Sequence, residues 1–306
     1  MVPLGLQLDS RTCPLCGYDG STKVLTEQQL DEAAVSRYTF SARKEPDSMR
    51  YKMVICSHCD LAYANPIPDM RWLSDNYVNA GFDAGEESKW AANNHSRLLD
   101  KVISRLPDRD GALDIGTGDG AFLDVLLQRG FENVEGLEPS IEPIREASDE
   151  VKGLIVREFF ETRNYESSKF SIVTCFQVLE HIHDILPLAR SVYRILKPGG
   201  YFLTICHDYR ALTARLLKHR SPIFDIEHLQ LFSKTSLEYL LETSGYQQSA
   251  IGRSVELFPL RYWLKLSPLS SWSKNRISKL VTKSGLNQLA IPLRAGNIWA
   301  FGVKTK

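Results

Sequence analysis

Apolar positions along this chain follow two periods. Between 86 and 106, Trp90, Leu98, Leu99, Val102, Ile103 and Leu106 recur at helical spacing, predicting a helix that Pro107 ends. A shorter helix, MRWLSDNYV, is predicted to start behind Asp69 as its cap. From Gly111 onward, short apolar runs alternate with helix-like segments. ALDIG and Phe170–Phe176 read as buried strands, AFLDVLLQRG as the helix after the first, and 133–138 and GLIVR as the second and third strands. The turn LKPGG leads into a further strand, YFLTICH, and SLEYLLETSGY is another helix. This alternation is that of a parallel sheet with helices on both faces. No internal repeat or low-complexity tract interrupts it.

Composition narrows the class without naming a function. The 306 residues, 43% hydrophobic, suit one large domain or two modest ones with a sizeable core. No run of about 18 apolar residues predicts a membrane span. The opening MVPLGLQLDSRT lacks the basic-then-apolar order of a secretory leader, so a cytoplasmic location is expected. Lys and Arg (37) balance Asp and Glu (37), which argues against a protein that blankets nucleic acid. The balance is uneven, however. Residues 257–306 hold nine Lys+Arg and no acid, leaving 28 basic against 37 acidic residues before them. Such a split predicts a basic surface at one end.

Four of the six cysteines form two pairs, Cys13-Pro-Leu-Cys16 and Cys56-Ser-His-Cys59. Two CxxC turns can close a tetrahedral all-thiolate zinc site, structural because no coordination position stays open. The 39 residues between the pairs must fold as an insertion or short sheet. Disulfides and a redox CxxC are the alternatives; a cytosolic compartment disfavours the first, and the second lacks its βαβ context. Cys175 and Cys206 lie in apolar runs and read as core. Beyond the module, Tyr63-Ala-Asn65-Pro66-Ile-Pro68 is a rigid extended segment.

The richest chemistry follows the first strand. ALDIG runs into Gly116-Thr-Gly118-Asp-Gly120-Ala121, where glycines permit a tight turn and close approach of a ligand to a helix N-terminus. Glu138, at the end of the second strand, can accept hydrogen bonds from both hydroxyls of a ribose. This spacing also satisfies the dinucleotide fingerprint. Asp114 discriminates: its charge would repel a pyrophosphate but suits the ammonium and sulfonium of S-adenosylmethionine. A glycine turn with no ligand is the bland reading.

Taken in order, DIGTGDG, LEHIHD, LKPGG and EHLQLFS resemble the class I S-adenosylmethionine-dependent methyltransferases. The likeness is greatest to the branch with an N-terminal CxxC…CxxC zinc module and a Y-x-NP-x-P segment, and it weakens between about 249 and 290. The resemblance implies an α/β fold: a Rossmann-like seven-stranded sheet with helices on both faces, its last two strands a hairpin near 248–256 and 296–303, preceded by a small zinc-ribbon-like module. It divides the chain into a zinc module (1–68), a helical linker or lid (69–108) and a methyltransferase domain (109–306) with the basic segment 257–306. It implies S-adenosylmethionine as cofactor, with Asp114, Gly116, Gly118 and Gly120 around its methionine part and Glu138 at its ribose. Glu158 and Phe159 would cover the adenine, and Gln177 would line the cofactor and substrate side. Relatives often carry Asp where this chain has Ser171, and an acid at Gln177.

The sulfonium is already electrophilic, so alignment matters most, and a base is needed only for a weakly acidic acceptor. His181, His207 and His228 fall near the C-terminal ends of strands, where open α/β sheets bind ligands. His228 is the first choice for proton acceptor and His181 the second; either could instead brace its turn. No G-x-S-x-G elbow supports a hydrolase. Ala211-Leu-Thr-Ala-Arg215-Leu-Leu-Lys218-His-Arg220 reads as a short basic amphipathic helix, and the acid-free tail carries Trp263 and Trp272. These suit an anionic or lipid-linked acceptor or an anionic membrane surface, with a solvated basic face as the plain reading. RNA is disfavoured by the sparse charge. The sequence therefore points to methyl transfer onto a hydroxyl or amine of a small molecule, a sugar or envelope-glycan precursor. An rRNA base methyltransferase and a cofactor-binding scaffold without turnover are the rivals.

Overall fold

The computed structural model describes residues 6–20, 22–42, 44–160 and 163–305. The N-terminal residues 1–5 used in the leader reading, and Lys306 of the basic tail, lie outside them.

The apolar runs after Gly111 assemble into one sheet. Its strands are β1 (Asp110–Ile115), β2 (Glu132–Leu137), β3 (Ile155–Val156), β4 (Phe170–Phe176), β5 (Leu196–His207), β6 (Gln248–Arg253) and β7 (Asn297–Val303). Among the described residues these form a seven-stranded sheet in the order 6-7-5-4-1-2-3. Strands β1 to β5 run parallel, whereas β7 is antiparallel to both β5 and β6. The order reverses between β1 and β4, the switch point at which such sheets bind ligands. Every residue of β4 is buried, as a strand covered on both faces requires.

Local differences from the sequence pattern have local causes. The helix predicted over 86–106 ends at Leu99 (Gly85–Leu99), and a single 3₁₀ turn, Ile103–Arg105, precedes Pro107. The LKPGG turn is absorbed into β5, where the register against β4 shifts between Leu196 and Tyr201 and Gly199 takes φ +80°. The Ala211–Arg220 stretch breaks into Leu212–Leu217 and a 3₁₀ turn at a left-handed Lys218.

The N-terminal module is joined to the sheet domain more closely than its sequence suggests. Strands Thr22–Thr26, Met53–Cys56 and Ala62–Ala64 form an antiparallel sheet whose fourth strand is Gln230–Leu231, far along the chain. One buried cluster runs from Cys13, Leu15, Cys56 and Cys59 through Phe232 to Leu237 and Val173. The segment boundary at 68 is thus crossed by both hydrogen bonds and core.

Candidate active site

The loop after β1 is pinned from below. Gly116 and Thr117 N–H both donate to the Leu137 carbonyl (2.8 and 2.9 Å), fixing the glycine turn to the end of β2. Gly118 sits at φ +60° with nothing within 4 Å of where a Cβ would stand, so its backbone borders open space. Gly120 is different: at φ +74° it caps helix Ala121–Gln128, and a Cβ there would lie 2.8 Å from Val151 Cγ2. It does not line the cavity described below; its place is packing of helix against sheet. Asp114 is buried and accepts from Thr174 Oγ1 (2.5 Å), and burial raises its carboxyl to about 6. Glu138 is likewise buried, with its oxygens accepting from Gly118 N (3.0 Å) and Ser140 N (2.8 Å). Burial raises its carboxyl too. Glu158 pairs with Arg163 (3.2 Å) beside Phe159. Gln177, just after β4, holds φ +55°, a left-handed conformation rare outside glycine, and its N–H donates to Ile205 O (2.7 Å).

Three histidines converge opposite this loop. The ring centroid of His228 lies 5.1 Å from that of His181 and 4.8 Å from that of His207. His228 Nδ1 lies 2.8 Å from the Ile223 carbonyl and so donates to it. His181 Nδ1 lies 2.8 Å from Tyr77 Oη and 2.9 Å from the Glu227 carbonyl, to which Tyr77 Oη itself donates (2.8 Å). His207 Nδ1 donates to Asn297 Oδ1 (2.7 Å), whose Nδ2 donates to Glu256 Oε1 (2.6 Å). A carbonyl partner at Nδ1 favours the neutral tautomer with its proton there, which leaves Nε2 of His207 and His228 unprotonated; His181 also reaches the Gln177 backbone. Burial opposes their protonation, lowering His181 and His207 to about 4 and His228 well below the usual range.

Both ends belong to one cavity of about 500 Å³. Its wall includes Asp114, Gly116, Gly118, Glu138, Glu158, Phe159, Gln177, His181, His207 and His228. Helices Met70–Val78 and Gly85–Leu99 contribute Tyr77 and His95, and helix Leu260–Leu266 contributes Tyr262 and Trp263. The tail therefore does fold against the cavity, but none of its described Lys or Arg residues is on the wall. Among the described wall residues seven are carboxylates and one is Lys or Arg, Lys44, which is itself paired with Asp225 (2.8 Å) and Asp47 (2.7 Å). The expectation of an anionic acceptor, drawn from tail charge, finds no free cation here to receive it.

The four module cysteines also converge. Their sulfurs all lie within 4.8 Å of one another, with Cys13–Cys59 and Cys16–Cys56 at 3.5 Å, and all are free thiols. Zinc–sulfur bonds of about 2.3 Å in a tetrahedron place sulfurs about 3.8 Å apart, so this donor set fits zinc.

A family model described as a methyltransferase domain matches residues 87–249, more than half of the chain. The chain belongs to this methyltransferase-domain family. A ubiquinone biosynthesis O-methyltransferase of Pseudomonas aeruginosa is 30% identical over 217 residues, covering 65% of this methyltransferase and 82% of that protein. One from Histophilus somni is 31% identical over 111 residues, 32% of this chain, and the chain spans only 46% of that relative's length. The complex of the Haloferax volcanii Trm112 methyltransferase activator with a methyltransferase contains a chain of the same fold. It superposes with a TM-score of 0.51 at 18% identity, over 73% of this chain and 96% of that one.

Several residues of this methyltransferase's wall carry no sequence signal of their own. Tyr77 and Asn297 hold two of the histidines, yet each sits in an ordinary amphipathic or strand pattern. Arg11, beside the first CxxC and off the wall, likewise carries no sequence signal. Its guanidinium reaches Ala64 O (3.0 Å), Leu229 O (2.9 Å) and His183 O (3.4 Å), tying the module to the two loops that bear His181 and His228. Asp60, next to Cys59, accepts from Arg210 Nε (2.7 Å) and Tyr209 Oη (2.9 Å). The module thus buttresses the histidine end of the cavity, not its glycine end.

Proposed function

We propose that this protein transfers a methyl group from S-adenosylmethionine to a hydroxyl of a small molecule. The observation that carries the reading is the continuity of one cavity from the Gly116–Gly118 loop and its two strand-end carboxylates to three neutral imidazoles. The residues suit the donor. Open backbone at Gly118 admits close approach, Glu138 offers two oxygens to a ribose, and Asp114 offers negative charge to a cationic methionine end. Glu158, Phe159 and Gln177 line the same cavity, which supports the adenine role for the first two and the substrate-side role for the third that the family resemblance implies. Bound there, the sulfonium supplies an activated methyl group.

The chain's own task is then position and a proton. His181, held by Tyr77, and His228, held by Ile223 O, would offer unprotonated Nε2 atoms to an incoming hydroxyl. As the oxygen–methyl bond forms and the sulfur–methyl bond breaks, the hydroxyl proton passes to one of these nitrogens, leaving S-adenosylhomocysteine. An oxygen acceptor accords with the O-methyltransferase names of the relatives. The acidic wall favours an uncharged, hydroxyl-rich reacting group such as a sugar, with any phosphate or lipid of the acceptor kept outside. It argues equally against a nucleic-acid backbone entering. The cysteine module would hold one structural zinc.

The test is incubation of the purified protein with methyl-labelled S-adenosylmethionine and fractionated cell extract. A small hydroxylated product heavier by one methylene unit is expected. Label that enters only RNA, or nothing at all, sinks the reading.

A further inference from the structure

Helix Ser271–Lys283 lies on the protein with its wrong side out. Its described side chains include no buried residue. At 100° per residue, Trp272, Arg276, Lys279, Leu280 and Lys283 share one arc of about 100°. Trp272 and Leu280 on that arc are 66% and 68% exposed. Lys274, Ile277 and Val281 lie on the opposite arc and are partly buried, with Lys274 Nζ anchored to Glu45 (2.8 Å) and the Lys265 carbonyl (2.7 Å). The helix is therefore pinned by its back and presents an apolar and cationic front. Arg276 lies 4.9 Å from the Trp272 ring centroid, so the charge sits beside the indole.

The front does not stand alone. Leu286, Leu289 and Leu293, following in the chain, are each more than 40% exposed. The strand Ala290–Leu293 that carries the last of these leads to Arg294 and to Ala295, whose carbonyl accepts from Thr213 Oγ1 (3.0 Å) in helix Leu212–Leu217. That helix exposes Leu212 (69%) and Leu216 (72%) on either side of Arg215, with Lys218 and Arg220 just beyond. Scattered exposed leucines are ordinary; a tryptophan and several leucines on adjoining elements, interleaved with cations and with no acid from 257 onward, are not. The combination matches a bilayer interface, where indole and leucine enter the headgroup boundary and Lys/Arg meet anionic lipid. A protein partner would need complementary acidic groups or a shaped groove, and the exposed side chains of the front arc are two apolar groups and three cations.

We propose that this surface docks the protein on anionic lipid membranes. The docking stands independently of the methyl-transfer reading. It has a geometric consequence all the same. Helix Leu260–Leu266 packs against helix Ser271–Lys283 and gives Tyr262, Trp263 and Leu266 to the cavity wall, so the docked face lies beside the cavity.

Vesicle flotation with the full chain tests this directly. Vesicles of equal parts phosphatidylglycerol and phosphatidylcholine should carry the protein at low salt, less so at high salt, and phosphatidylcholine alone should not. Replacing Arg276, Lys279 and Lys283 by Gln should weaken binding about a hundredfold, at roughly fivefold per cation. The pair Trp272→Ser and Leu280→Ser should weaken it about tenfold. Because all five side chains are exposed, S-adenosylhomocysteine affinity and thermal unfolding should match wild type, which separates lost docking from lost fold. Absence of flotation, or flotation that both variant sets leave unchanged, overturns the proposal. So does self-association abolished by the same substitutions in a protein that ignores vesicles.

Discussion

Lowering the pH from 7 to 5 should leave the histidine cluster uncharged. An exposed imidazole, with its usual value near 6.5, is only about 3% neutral at pH 5. His181 and His207, lowered to about 4 by burial, stay roughly 90% neutral there. The difference of about 2.5 units corresponds to at most about 3 kcal/mol per ring, an upper bound because each ring keeps an edge on the water-accessible cavity. The sign of the linkage follows: the neutral preference stabilises the folded protein fully above the unfolded value of 6.5 and is lost as pH falls through about 4. Asp114 and Glu180, a fully buried carboxyl that accepts from His207 N–H, act oppositely. Their raised values, about 6 and about 7, make their contribution complete below the unfolded carboxylate range and lost as pH rises through 6 to 7. Nitrogen-detected NMR of imidazole-labelled protein reads both tautomer and titration ring by ring. Nδ1-protonated neutral rings for His181, His207 and His228 at pH 5 are expected. Midpoints near 6.5, or an Nε2–H tautomer at His181, would refute the proton-acceptor geometry. Tyr77→Phe, which removes one hydroxyl partner of His181, should loosen that ring's tautomer selection and leave His207 unaffected.

Other consequences are quickly checked. Gly118→Ala should fold normally but for about 1 kcal/mol of left-handed backbone cost, while weakening S-adenosylhomocysteine at least tenfold by calorimetry. Gly120→Val should do the reverse in kind, lowering the unfolding free energy by about 2–3 kcal/mol through its clash with Val151, read as a lower unfolding midpoint. Elemental analysis should find one zinc per chain, and Cys59→Ser should lose it. Arg11→Ala, removing the tie between module and histidine loops, should lower kcat severalfold while leaving cofactor affinity within twofold; an equal fall in cofactor affinity would count against a role confined to the histidine end.

What the sequence displayed was whatever has a short period or a short motif. Buried β4 and the glycine loop are local, so their residues stood out, and the paired CxxC motifs correctly foretold four sulfurs close together. Hidden were features made by distant chain segments. Gln230–Leu231 is two residues long and becomes a strand only because Ala62–Ala64 lies alongside. Arg11 reads as one more surface cation until the fold buries it against carbonyls from residues 64, 183 and 229. Charge alone did not say which way the tail faces. Orientation is set by packing: Phe258, Tyr262 and Trp263 line the cavity, and none of the described tail cations does. Gly120 matched a cofactor motif, yet its missing side chain serves Val151 and Ile155.

The most direct measurement is calorimetric titration of the purified chain with S-adenosylhomocysteine, for wild type and Glu138→Gln. One site per chain is expected, displaced by S-adenosylmethionine and weakened at least tenfold when Glu138 loses its charge. No binding at millimolar ligand, or equal affinity in the two proteins, would contradict it.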